Sequence, residues 1–131
     1  MTDTYGTSPA VDTFEARRGF DFDMQFTLRD QNGEVYPTFD TWSFQLRVSS
    51  EVGASPFFAM TTGTNTSNGG YIEPIADGET VEVHLDANDL AGFSASSGSS
   101  PDRYAYQITA SSSEFGNWPL LVGDFVLGKS I

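Results

Sequence analysis

The sequence predicts an all-β protein, a single sandwich of about seven or eight antiparallel strands with one short helical turn. Three observations lead there. Apolar and polar residues alternate in several runs with the period of two that a strand imposes. Turn signals built on Gly, Asn, Asp and Pro recur between those runs at close spacing. Thr, Ser, Gly and Phe are plentiful and aromatics reach 14%, a composition suited to pleated, half-buried surfaces. No linker or internal repeat divides the 131 residues, so one domain is expected.

Residues 1–12 are polar and broken by Gly6 and Pro9, and read as a flexible N-terminal arm outside a sandwich domain of residues 13–131. The arm is either a frayed terminus or a segment that docks on a neighbouring subunit. The clearest strand runs from Phe20 to Arg29, where Phe20, Phe22, Met24, Phe26 and Leu28 form one apolar face. Asp30-Gln31-Asn32-Gly33 then supplies a turn. Thr41 to Ser49 repeats the pattern, with Trp42, Phe44, Leu46 and Val48 facing inward. A shorter strand is expected over Phe57 to Thr62, after the Gly53-Ala54-Ser55-Pro56 loop.

Residues 63–70 hold only Thr, Asn, Ser and Gly and read as a surface loop. Tyr71 to Ile75 is a short strand that Pro74 places at an edge. Asp77-Gly78-Glu79 turns the chain into Thr80 to Leu85, with Val81, Val83 and Leu85 inward. Asp86 to Phe93 has an Asp able to cap and then Ala87, Leu90 and Ala91, which suits one helical turn crossing between sheets. Ser94 to Arg103 is a second flexible loop, Tyr104 to Ala110 a strand, Ser111 to Trp118 a wide turn, and Pro119 to Leu127 the last strand.

Charge and residue counts remove most functional classes. Six Lys and Arg stand against 18 Asp and Glu, a net charge of −12, and the arginines are scattered apart from Arg17-Arg18. Nucleic-acid binding is therefore not expected, because phosphate contacts need clustered cations. Without cysteine there is no disulfide, thiolate nucleophile or Cys-ligated metal. Residues 1–11 lack a basic region and an apolar core, so no signal peptide is expected and the chain reads as starting at its own methionine. No apolar run approaches the roughly 20 residues of a membrane helix.

His84 is the only histidine, so any Ser-His-Asp arrangement must use it. Glu82, His84 and Asp86 share one face of a strand, but same-face neighbours lie about 6.6 Å apart, too far for a compact site without a second strand. The row reads as a solvated outer face, and Asp21 with Asp23 forms another of the same kind. Asp30 to Glu34 and Asp86 to Leu90 break the EF-hand pattern and read as a turn and a helix cap. A calcium ion shared by Asp77, Glu79 or loop acids stays open as an alternative. Asn65-Thr66-Ser67 matches the glycosylation sequon by chance, and Gly69-Gly70 is too little for a phosphate loop. No enzyme activity, cofactor or metal is expected.

The remaining aromatics are out of strand phase or beside loops. Phe57, Phe58, Tyr71, Phe93, Phe115 and Trp118 either cap the ends of the sandwich or anchor a partner surface.

Taken together, Thr13-Phe14-Glu15-Ala16-Arg17-Arg18-Gly19, the alternating strand ending Arg29-Asp30-Gln31-Asn32-Gly33, Trp42-Ser43-Phe44-Gln45-Leu46-Arg47, Tyr104-Ala105-Tyr106-Gln107-Ile108 and Leu120-Leu121-Val122-Gly123-Asp124-Phe125-Val126-Leu127 form a recognisable order. It resembles the small immunoglobulin-like virion proteins of tailed bacteriophages, including upper baseplate N-terminal domains and short minor tail proteins, over Thr13 to Ile131. That resemblance implies an immunoglobulin-like sandwich and a non-enzymatic structural role in the virion: tail, baseplate or head surface. It also implies multi-copy or homo-oligomeric contacts with other virion proteins, no nucleic acid or membrane, and synthesis in the host cytoplasm. A host glycan is a possible further partner. The alternative is a stand-alone carbohydrate- or calcium-binding module.

Overall fold

A computed structural model describes residues 10–28, 32–36, 39–75, 78–113 and 116–129. Among these residues, nine strands form two sheets. The larger contains β1 (Ala10–Val11), β2 (Phe14–Arg17), β4 (Ser43–Ser49), β5 (Pro56–Thr61), β8 (Asp102–Ser112) and β9 (Gly116–Gly128). Its order is β1-β9-β8-β4-β5, with β2 also on β9. The smaller sheet has the order β3 (Phe22–Thr27), β7 (Thr80–Leu85), β6 (Tyr71–Pro74). The helical turn α1 (Ala87–Ala91) links β7 to β8, crossing from one sheet to the other as the sequence predicts. This is the strand order of a variable-type immunoglobulin-like sandwich, with the N-terminal segment added beside the last strand.

Alternation puts the core where the pattern places it. Phe44, Leu46 and Val48 of β4, Val81, Val83 and Leu85 of β7, and Ile108 of β8 are fully buried. Each such side chain contributes roughly 1.5–3 kcal/mol of transfer free energy. Trp42 packs on Tyr36 and Phe39, with ring centroids 4.8 and 5.5 Å apart, and closes one region of the core. Asp86 caps α1: its side chain accepts from the Asn88 N–H, while Asp89 returns to the Asp86 N–H.

Phe20 departs from the expected inward face. The Phe20 N–H donates to the Arg17 carbonyl across Gly19, which has φ of 90°, so Phe20 belongs to a turn and is 60% exposed. The strand starts only at Phe22. The wide turn expected over Ser111 to Trp118 is instead a longer hairpin, because β8 and β9 stay paired to Ser112↔Gly116. Asp102 and Arg103, expected in a loop, open β8.

Two bulges shift strand phase. Between Val48 and Ser49 the register of β4 on β5 passes from Phe58 to Pro56, so Phe57 is the extra residue. Between Ile108 and Thr109 it passes from Leu121 to Pro119, so Leu120 is extra and both leucines are buried.

The end of the expected arm is part of the larger sheet. Ala10 and Val11 pair in parallel with Leu121 and Val122, and Phe14 to Arg17 continue on Phe125 to Gly128. Between these runs the Asp12 N–H donates to the Val122 carbonyl and the Tyr106 hydroxyl donates to the Asp12 carbonyl. Residues 1–9 lie outside the described residues. A methyl group at Gly123 would overlap the Asp12 carbonyl oxygen, so glycine is required for this strand to lie against β9.

Gly123→Ala is therefore expected to lower unfolding free energy by roughly 1–3 kcal/mol. It should also remove hydrogen-exchange protection at the Asp12 amide. Unchanged stability with that amide still protected would contradict the docking.

Candidate functional site

Three groups of side chains stand out: an ionic node where the ends of several elements meet, an aromatic cluster at one end of the sandwich, and the outer face of the smaller sheet.

The node is built on Arg18 and Asp102. The Arg18 guanidinium donates to the carbonyls of Leu90, Phe93 and Ser94 at 3.2, 3.1 and 3.0 Å, to Asp102 Oδ2 at 3.1 Å and to the Tyr104 hydroxyl at 3.1 Å. It thus adds a charged donor to carbonyls at and after the end of α1, where a cation is favoured. Asp102 is buried and also accepts from the Ser96 N–H at 2.9 Å, the Ser96 hydroxyl at 2.6 Å and Lys129 Nζ at 2.9 Å. These Ser96 bonds, then Lys129 and Arg18, hold its carboxyl far below the usual range. The Tyr104 hydroxyl donates to the Ser94 carbonyl, in the manner of a tyrosine corner at the start of its strand. The segment after Phe93 is therefore anchored at Ser94 and Ser96.

The aromatic cluster gathers three of the predicted contact residues. Phe93 meets Phe57 and Phe58 with centroids 5.1 and 5.3 Å apart, and Tyr104 completes the group. Phe93 is only 3% exposed, so its ring packs internally and is unavailable to a partner. Phe57, pushed out by the bulge, is 45% exposed, and Phe58 is half-buried. Asp89 closes the neighbouring loop by accepting from Thr66 Oγ1 at 3.0 Å and Asn68 Nδ2 at 3.3 Å. Phe115 lies outside the described residues. Trp118 pairs with Ala110 through the backbone, and its side chain is likewise outside the description.

The smaller sheet brings together rows that are separate in sequence. Because β3 pairs with β7, Asp23 faces His84 and Gln25 faces Glu82, while Tyr71 and Glu73 of β6 flank them on the other side. His84 Nδ1 is 2.5 Å from Asp23 Oδ1, and the Tyr71 ring stacks on the imidazole at 5.3 Å. The hydrogen bond to Asp23 raises the His84 pKa against the opposing effect of burial. Tyr71 donates to Glu82 Oε1 at 2.6 Å, which pushes the phenol up to about 12 and lowers the Glu82 carboxyl. Asp21 and Asp86 continue the same two rows. One ring nitrogen of His84 and one oxygen from each of these carboxylates lie within 4.8 Å of one another. The second strand that the row of Glu82, His84 and Asp86 lacked is thus β3. Tyr71, expected as a partner contact, is committed to His84 and Glu82.

No protein-family model matches the chain, and comparison with curated proteins gives no match.

Asp102→Asn leaves Arg18 and Lys129 without their anion, and an expected loss of about 3 kcal/mol at neutral pH follows from breaking such a pair. A carboxyl pKa depressed by folding stabilises above its unfolded value of about 3.9 and ceases to do so as pH falls toward the folded value. Urea titrations should therefore show the gap between wild type and Asp102→Asn closing below roughly pH 4. A gap independent of pH would contradict the node.

Proposed function

We propose that the domain is a non-enzymatic structural component of a tailed-bacteriophage virion, in the tail or baseplate or on the head surface, acting through protein–protein contacts. The observation that carries this reading is the edge of the larger sheet. There, among the described residues, β5 pairs with no named strand other than β4, and it carries Phe57, which is 45% exposed. An open strand edge bearing an exposed aromatic side chain suits strand addition by another chain. Nine residues precede Ala10, enough to reach roughly 30 Å to a neighbouring subunit when extended. The buried carboxylates Asp89 and Asp102 are occupied by donors of the fold itself, which suits holding loops better than moving protons.

A second reading, a stand-alone carbohydrate-binding module, draws on a groove of about 490 Å³ across the outer face of the larger sheet. Ser43, Gln45, Thr61, Gln107, Thr109 and Asn117 give it neutral donors and acceptors.

Cross-linking mass spectrometry on intact source particles separates the two. The assembly reading expects the chain in several copies per particle, cross-linked to other virion proteins through the β5 edge or residues 1–9. Absence from particles, with a monomer that binds glycans, would overturn it.

A further inference from the structure

The outer face of the smaller sheet holds a donor set that the assembly reading does not use. Asp21 leads into β3 and Asp86 follows β7, so the antiparallel register that pairs Asp23 with His84 brings these two acids to the same corner. We propose that Asp21, His84 and Asp86 bind a divalent transition-metal ion, with Asp23 as the carboxylate that orients the imidazole.

Geometry is the first support. Metal–nitrogen and metal–oxygen bonds of roughly 2.0–2.2 Å place neighbouring ligand atoms around a tetrahedral ion about 3.4 Å apart. A ring nitrogen of His84 and one oxygen each of Asp21 and Asp86, mutually within 4.8 Å, close on one ion by side-chain rotations that draw them together by up to about 1.4 Å.

The donors are also held by contacts outside the triad. His84 Nδ1 is paired with Asp23, so in the neutral ring Nε2 carries the free lone pair. A carboxylate on the far ring nitrogen is the usual partner of a metal-binding histidine. The stacked Tyr71 fixes the ring plane. The Ala87 N–H donates to Asp21 Oδ1 at 2.9 Å and the Asn88 N–H to Asp86 Oδ2 at 2.8 Å, which aims both carboxylates and leaves each with an oxygen for the ion. Four elements, β3, β6, β7 and the start of α1, converge on one point.

Charge is the third support. Asp21, Asp23 and Asp86 surround a single imidazole, and among the described residues the Lys and Arg ion pairs go to Asp102 and Asp124 instead. A dication offsets that excess directly. The imidazole favours zinc, cobalt or nickel over calcium, whose ligands are oxygens. Asp21 is exposed and the other two donors are half-buried, so an ion would keep open positions for water or an external ligand.

Isothermal titration of the full chain, freed of metal with EDTA, with zinc, cobalt or calcium chloride tests the site. The expected result is one zinc per chain, a cobalt visible spectrum with nitrogen and oxygen ligands, and weaker calcium binding. Affinity should be lost in His84→Gln and in Asp21→Asn, and should fall about tenfold to a hundredfold in Asp23→Asn. Circular dichroism and melting without metal establish that the variants fold, which their surface position favours. Absent saturable zinc binding in the wild type would overturn the proposal. So would zinc affinity unchanged in folded His84→Gln, or calcium binding as tightly as zinc.

Discussion

The Arg18 guanidinium is the contact on which most of the connectivity converges. One side chain, just beyond β2, reaches the Leu90 carbonyl of α1, the segment after it and the buried Asp102 at the start of β8. Lys129, just beyond β9, adds a second cation to the same carboxylate. Antibody domains tie their two sheets with a disulfide. This chain has no cysteine, and α1, which leaves the smaller sheet at Asp86, is instead tied to the larger sheet through an ionic knot. The knot costs desolvation, repaid by the hydrogen bonds that saturate Asp102.

A second constraint is phase. A sheet with period two has no place for adjacent large side chains on one face, and the chain resolves each such doublet with a bulge. Phe57-Phe58 leaves Phe57 at the surface, whereas Leu120-Leu121 turns both side chains inward. The bulged edge of β5 and the close passage of Asp12 over Gly123 therefore decide what the domain can present to a neighbour. The charge of −12 is unevenly spread across these surfaces. The smaller sheet carries Asp23, Glu73 and Glu82 outward, with Asp21 just before β3, while the groove on the larger sheet is lined by uncharged residues and Arg47.

Strand positions, the α1 cap and the core faces of β4 and β7 were legible in the sequence because alternation and capping are local patterns. Contacts between distant residues were not. Arg18 and Asp102 are 84 positions apart, and Asp102 sits at the end of a Ser- and Gly-rich stretch that reads as loop. The Asp21-Asp23 and Glu82-His84-Asp86 rows were each visible, yet only pairing of β3 with β7 makes them one cluster. The Phe57-Phe58 doublet was the available signal for the bulge, and Gly123 beside Asp124 gave no local sign of the strand that crosses it.

A double-mutant cycle between Arg18→Met and Asp102→Asn, read by urea unfolding, tests the central place of the knot most directly. The account predicts a coupling energy of roughly 1–3 kcal/mol. It also predicts that either single variant loses hydrogen-exchange protection at both the Arg18 and Ser96 amides, which bond to Gly128 and Asp102. Additive effects, with both amides still protected in the single variants, would contradict it.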